Sequence, residues 1–241
     1  EWFGGDEATV TGMIVGCGLA ILACSALGLF SGSMVAYFGV PPFVATLGMM
    51  MVGSGLAYML SSGLSIYQLP QSFDWLGRGD DLGGVPNAVV LMVVLYLLAH
   101  TLMSRTTLGR YIYAVGGNPE AARLSGVPVK KILLGVYASC GALAGLGGVI
   151  MASQFKSGDP KYGLMYELYV IAAVVVGGTS LSGGRGKVFG TLIGAFIIAV
   201  IQNGMNLTGV QSYTQKVVLG VVLLAAVLLD MLKKRGWKLS L

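Results

Sequence analysis

Few residues in this chain are equipped for chemistry. There is one histidine, His100, and three cysteines, Cys17, Cys24 and Cys140, an odd number with no ligand-like spacing. Metal centres and thiol redox pairs need such residues in closely spaced sets. The cysteines therefore read as small packing residues, and no metal site is expected. The stretch Gly183-Gly184-Arg185-Gly186-Lys187 invites comparison with a phosphate-binding loop. Such a loop needs a glycine five residues before the glycine of its Gly-Lys pair, and Ser or Thr directly after the lysine. Here those positions hold Leu181 and Val188. The pattern fails at both ends, so the chain is not expected to bind ATP. No catalytic constellation and no cofactor are expected.

The elements that must position any functional residue are apolar. Of 241 residues, 55% are hydrophobic and 10% charged, against about 25% charged in a soluble domain. No charge occurs between Glu7 and Asp74, and an uncharged stretch that long belongs in lipid. About seven apolar segments can be drawn, over residues 10–35, 43–60, 88–103, 132–155, 168–176, 188–205 and 217–232. Lipid offers no partners for backbone polar groups, so each must be helical. The expected fold is all-α, a polytopic transmembrane helical bundle forming one domain over residues 1–241. The fifth segment is the shortest and reads as a partial or broken span.

The net charge of +5 is gathered in loops and tails, the positive-inside pattern rather than a nucleic-acid stripe. Arg105, Arg110, Arg123, Lys130 and Lys131 stand against Glu120 alone in the 104–131 connection, and Lys233, Lys234, Arg235 and Lys238 end the chain. Both stretches are expected in the cytoplasm. The 61–87 loop, with Asp74, Arg78, Asp80 and Asp81, and the opening Glu1, Asp6 and Glu7 are expected in the periplasm of a bacterial inner membrane. The chain opens without Met or a basic leader, and is expected to begin within a longer protein. His100 lies near the cytoplasmic end of the third segment, Glu167 near a periplasmic boundary and Asp230 near a cytoplasmic one. No acid or histidine stands at mid-membrane depth, where ion-coupled transporters keep their coupling groups. That favours an uncharged polar solute and an external energy source.

Glycine, at 38 residues, is abundant in register. Gly12, Gly16, Ala20, Cys24, Gly28 and Gly32 recur every fourth residue, and Gly141/Gly145 and Gly190/Gly194 form GxxxG pairs. Small residues let membrane helices approach closely; a glycine-lined substrate path is the alternative. Gln202 and Asn206 share a helix face beside Asn203. They read either as interhelical hydrogen-bonding groups or as lining of a path for a polar solute.

One surface segment is built with care. Asn118 suits an N-cap, Pro119 the first helical position, Glu120 the positive end of the helix dipole, and Gly126 the left-handed position that ends a helix, with Pro128 blocking continuation. A free-standing cytoplasmic helix of about two turns is predicted, too short to persist unless it packs on something. It is either a connector lying on its own bundle or a docking element.

The stretch 109–127, reading Gly109-Arg110-Tyr111-Ile112-Tyr113-Ala114-Val115-Gly116-Gly117-Asn118-Pro119-Glu120-Ala121-Ala122-Arg123-Leu124-Ser125-Gly126-Val127, closely resembles the coupling loop of the ribose-type branch of ABC sugar permeases. Gly177-Gly178-Thr179-Ser180-Leu181-Ser182-Gly183-Gly184-Arg185-Gly186 is similar to that family's second motif, and Asn203-Gly204-Met205-Asn206-Leu207 with Gly209-Val210 to a third. The likeness covers essentially the whole chain. It implies the transmembrane subunit of an ATP-driven importer of a monosaccharide, working with cytoplasmic ABC ATPase subunits, a periplasmic sugar-binding protein and a second permease copy in a homodimer or heterodimer. It also implies further N-terminal spans, about three of some 20 residues each. In this reading the 117–128 loop is the cytoplasmic coupling element, with Asn118, Pro119, Glu120, Ala121, Ala122, Arg123, Ser125, Gly126 and Val127 meeting the ATPase. The loop bearing Gly177, Gly178, Thr179, Gly183, Gly184 and Gly186 faces the same side, as a gate hinge or a plain turn. A nucleoside or branched-chain amino acid ABC permease is the neighbouring alternative. A stand-alone facilitator or channel is the alternative from another class.

Overall fold

A computed structural model describes residues 10–67, 69–81 and 83–234. Glu1, Asp6 and Glu7, and Arg235 and Lys238 of the basic tail, lie outside the described residues. Ten α-helices are found among the described residues: α1 Val10–Phe38, α2 Pro42–Leu60, α3 Asp74–Arg78, α4 Asn87–Arg105, α5 Thr107–Gly117, α6 Pro119–Leu124, α7 Val129–Phe155, α8 Tyr166–Val176, α9 Val188–Leu207 and α10 Ser212–Lys234. Six are long and apolar enough to cross a membrane: α1, α2, α4, α7, α9 and α10. The seventh apolar segment, α8, has 11 residues. At 1.5 Å per residue it reaches about 16 Å, half of a hydrocarbon core. Within each span's most apolar window, at most 11% is buried inside the chain, so these apolar faces are made to meet lipid or further protein.

The chain divides into two compact units, Glu1–Val94 with Pro128–Tyr162, and Leu95–Val127 with Gly163–Leu241. In the first, α1 and α7 pack antiparallel along a seam of small residues. A Cβ added to Gly28 would strike the Tyr137 carbonyl, one added to Gly141 the Cys24 carbonyl, and one added to Gly145 would lie 2.9 Å from Cys24 Cβ. Ser25 Oγ donates to the Ala138 carbonyl across the same seam at 3.1 Å. Cys24, Gly28 and Gly32 of the four-residue register meet α7, whereas a Cβ on Gly16 would meet nothing within 4 Å.

The 61–87 loop is folded onto the C-terminal end of α7. The fully buried Ser153 accepts from the Gly77 N–H at 2.8 Å and donates to the Phe73 carbonyl at 2.5 Å. Arg78 Nε donates to the Gln154 carbonyl at 2.8 Å, and Lys156 pairs with Asp74. Ile66 and Gly158 exchange two backbone hydrogen bonds at 2.8 Å each. Ser65 Oγ donates to Asp159 at 2.6 Å and, with the Lys161 N–H, holds that carboxyl below its ordinary range.

In the second unit, α8 and α9 approach closely. A Cβ on Gly194 would strike the Ala173 carbonyl, and Gly177 and Gly190 leave no room for one another's Cβ. Ala172 and Ala173 of α8, Ile198 of α9 and Leu219 of α10 form the buried core. Helix α10 begins five residues earlier than the apolar segment 217–232, which brings Lys216 into its second turn, beside an apolar slot between α8 and α10 lined by Leu168, Tyr169 and Leu219. A lysine there can lay its stem along apolar surface with the ammonium turned toward water.

Candidate functional site

The second unit contains both the 109–127 and the 177–186 motifs. Thr106 caps α5, its Oγ1 accepting from the Gly109 N–H at 3.2 Å. Helix α5 ends at Gly117 because Asn118 is extended (φ −155, ψ 100). Asn118 serves two helices at once. Its N–H donates to the Ala114 carbonyl at 3.0 Å, closing α5. Its Oδ1 accepts from the N–H groups of Glu120 and Ala121 at 3.1 and 3.0 Å, opening α6 with Pro119 in the first position.

The other end of α6 is equally well finished. Gly126 lies at φ +82, its N–H donates to the Arg123 carbonyl, and the Val127 N–H to the Ala122 carbonyl, both at 3.0 Å. This is the paired 5→2 and 6→1 closure that favours glycine at the left-handed residue. The six residues of α6 thus have capped backbone groups at both ends. Arg123 makes a two-pronged contact with Glu120 at 2.6 and 3.2 Å, which lowers the Glu120 carboxyl and raises the Arg123 guanidinium. Both are exposed, so the pair adds little stability; it fixes which charges the surface presents. Ala122 is buried, 5% exposed, while Leu124 is 77% exposed. The helix therefore turns Ala122 inward and offers Leu124 outward beside Glu120 and Arg123. Sequence reasoning passed over Leu124, although a leucine in a two-turn surface helix was the available signal.

The glycine-rich loop folds back on itself. Helix α8 ends with the Thr179 N–H donating to the Val174 carbonyl at 3.1 Å; the Ser180 N–H then donates to the Arg185 carbonyl at 3.0 Å, and the Gly183 N–H to Ser180 at 3.1 Å. A Cβ on Gly186 would lie 2.7 Å from Thr179. The loop touches two further helices, α5 and α10. Tyr113 of α5 donates its hydroxyl to the Gly186 carbonyl at 2.8 Å. A Cβ on Gly116 would lie 2.9 Å from the Gly184 nitrogen. Ser180 Oγ reaches Asp230 of α10 at 3.4 Å. The structure thus brings the end of α5, which leads into the 118–127 segment, against the glycine-rich loop.

The amides lie elsewhere. From Val188, next to the glycine-rich loop, Asn206 is 18 residues along α9, about 27 Å at 1.5 Å per residue. Gln202 is half-buried and Asn203 exposed. Asn206 Oδ1 accepts from Gln215 Nε2 of α10 at 2.8 Å, and the same nitrogen donates to the Val210 carbonyl at 2.7 Å. The His100 ring lies tilted against Phe189 of α9, with the ring centres 4.5 Å apart. Among the described residues no group of His, Cys, Asp and Glu could hold a metal ion.

Six apolar spans, a half-length apolar helix and short capped surface helices define a multi-pass helical membrane protein. The chain belongs to the family described as the permease component of the branched-chain amino acid transport system, which matches residues 7–227. It is 44% identical to the ribose import permease protein of Escherichia coli (strain K12) over 235 residues, covering 94% of this chain and 73% of that protein. It is 38% identical to the D-allose transport system permease protein of the same organism over 213 residues, 88% of this chain and 65% of that protein. It is 37% identical to the L-arabinose transport system permease protein, again from that organism, over 206 residues, 86% and 62% of the two chains. No solved structure matches.

Proposed function

We propose that this chain is the membrane-spanning subunit of an ATP-driven importer. It passes a monosaccharide of the pentose or hexose class from a periplasmic binding protein to the cytoplasm, while separate ABC ATPase subunits hydrolyse ATP. The relatives' names, for ribose, allose and arabinose, favour a sugar over the branched-chain amino acid in the family description. The observation that carries the energy-coupling part is α6. A six-residue helix is far too short to persist through its own hydrogen bonds, yet this one is capped at both ends and presents Leu124, Glu120 and Arg123 outward. A helix finished in this way fits a cleft in a cytoplasmic partner, with Asn118–Pro119 and Gly126–Val127 setting its two ends. The basic residues of the 104–131 connection support a cytoplasmic position for it. The carboxamides of α9 lie at the other end of that span, where a sugar's hydroxyls would enter, and a second permease copy would complete the path.

The test is reconstitution of the permease with its ATPase subunits and binding protein in liposomes. Uptake of labelled pentoses, hexoses and leucine is compared, together with substrate-stimulated ATP hydrolysis. Uptake of a sugar, with Glu120→Lys or Gly126→Val removing the stimulation while leaving the permease inserted and folded, is expected. Uptake of leucine alone would move the chain to the amino acid branch. Uptake without ATP or binding protein would make it a facilitator.

A further inference from the structure

We infer that the glycine-rich loop 177–186 is a rigid strut. It holds the base of α6 to the α8–α9 pair, and Tyr113 and Gly116 are its positioning residues. This rests on the proposal that α6 couples the permease to an ATPase, and assigns the route by which α6 moves the rest of its unit.

Three observations converge. The loop is closed internally by Ser180–Arg185 and Ser180–Gly183 backbone hydrogen bonds and by Gly186 against Thr179, so it has little freedom to act as a hinge. Its free face lies on the last turn of α5, directly before the Asn118 cap. Gly183, at φ +81, lets the chain pass against the Gly116 carbonyl, and the Tyr113 hydroxyl holds Gly186 from the other side at 2.8 Å. At its roots the loop continues into α8 and α9, which are locked by Gly177, Gly190 and Gly194 with no space for a single added methyl. Backbone packed on backbone transmits displacement because nothing between the parts can change rotamer. The loop also reaches Asp230 of α10 through Ser180. A push on α6 therefore reaches the helix that carries Gln202, Asn203 and Asn206 without crossing a flexible joint.

Two neighbouring methyl groups separate this from a merely well-packed turn. Gly116 and Gly117 both end α5, so alanine at either is equally acceptable to the helix. The Gly116→Ala methyl would lie 2.9 Å from the Gly184 nitrogen and must displace the loop, whereas the Gly117→Ala methyl would lie 3.7 Å from Gly184 Cα, an ordinary contact. Tyr113→Phe removes one hydrogen bond and no packing. In the reconstituted complex, sugar molecules moved per ATP hydrolysed should fall on the order of fivefold in Gly116→Ala, the low end of coupling between sites. Tyr113→Phe should lose up to about fivefold, the worth of one neutral hydrogen bond, with a melting temperature lowered by no more than about 2–4 °C. Gly117→Ala should fall short of both. Hydrogen exchange of the purified permease should speed up together in 118–127 and 177–186 for Gly116→Ala. If Gly116→Ala and Gly117→Ala behave alike in both measurements, the strut is overturned. If Glu120→Lys uncouples transport while Gly116→Ala and Tyr113→Phe do not, the strut alone fails and α6 remains the coupling element. If Glu120→Lys also leaves sugar moved per ATP intact, the coupling role of α6 fails and the strut fails with it.

Discussion

Replacing Gly141 by alanine tests whether the α1–α7 seam holds the first unit together. The added methyl would strike the Cys24 carbonyl and lie 3.2 Å from Gly28 Cα, both backbone atoms that cannot turn aside. The helices must separate, and overpacking of this kind costs about 1–3 kcal/mol. Alanine also gains roughly 1 kcal/mol of helix propensity over glycine. In lipid that term is muted, because both helices stay helical whether packed or not. Gly16→Ala on α1 supplies the comparison: it makes the same chemical change where nothing lies within 4 Å, so any propensity gain cancels between the two. The expected difference is about 2 kcal/mol. At this chain length that corresponds to a melting temperature roughly 4–8 °C lower for Gly141→Ala than for Gly16→Ala. Thermal unfolding of the two purified variants in one detergent, followed by circular dichroism and by aggregation, reads this directly. Equal melting temperatures would refute the seam as a source of stability and leave the glycine register of α1 without a packing role.

The amides of α9 divide by what they touch. Asn206→Ala should cost about 0.6 kcal/mol, the average for a polar contact between membrane helices, through loss of the Gln215 partner. Asn203→Ala should change uptake rate or sugar preference at constant stability, and unchanged uptake in both variants would remove these residues from the path. Asp159 gives a pH test, because Ser65 and the Lys161 N–H lower its carboxyl in the folded state. A depressed carboxyl stabilises above its unfolded value, about 3.9, and loses that contribution as pH falls through the folded value. The melting-temperature gap between the wild type and Ser65→Ala should therefore hold from neutral pH down to about pH 4 and narrow below it. A gap that widens in acid would contradict the assignment.

Features fixed by a few neighbouring residues were legible without a structure. Asn-Pro-Glu before a short apolar run and Gly-x-Pro after it specify α6 through local hydrogen bonds and backbone preference, and the structure has the Asn118 cap and the left-handed Gly126 at those positions. The spans were legible for a related reason. Lipid removes every alternative to a helix, so hydropathy alone places each to within a few residues. Where local signals weakened, boundaries moved: α10 starts at Ser212 because Gln215 can satisfy the Val210 carbonyl and the Asn206 amide, a contact between helices that hydropathy does not register. Helix α3 was not foreseen. Its five residues owe their place to Ser153 and Gln154, about 75 positions away in the chain.

The glycines show most clearly where local reasoning stops. Gly16, Gly28, Gly116 and Gly141 are equivalent to a reader of sequence, since each is a small residue in or ending a helix. What distinguishes them is the partner: open space for Gly16, a carbonyl of α7 for Gly28, the loop nitrogen of Gly184 for Gly116, a carbonyl of α1 for Gly141. Spacing by four places small residues on one helix face, but for Gly28, Gly116 and Gly141 the surface opposite is supplied by a distant segment, as numbering from 28 to 137 and from 116 to 184 makes plain. The same holds for Gly183 and Gly184, which sequence leaves divided between hinge and turn. A hinge needs backbone free to change φ and ψ, and a turn needs only a left-handed residue. In the strut proposed above Tyr113 favours the turn, because its hydroxyl donates to the Gly186 carbonyl while Gly116 packs against Gly184. On that proposal, what reads as flexibility in composition serves, once α5 is in place, to join α6 to the span that carries the amides.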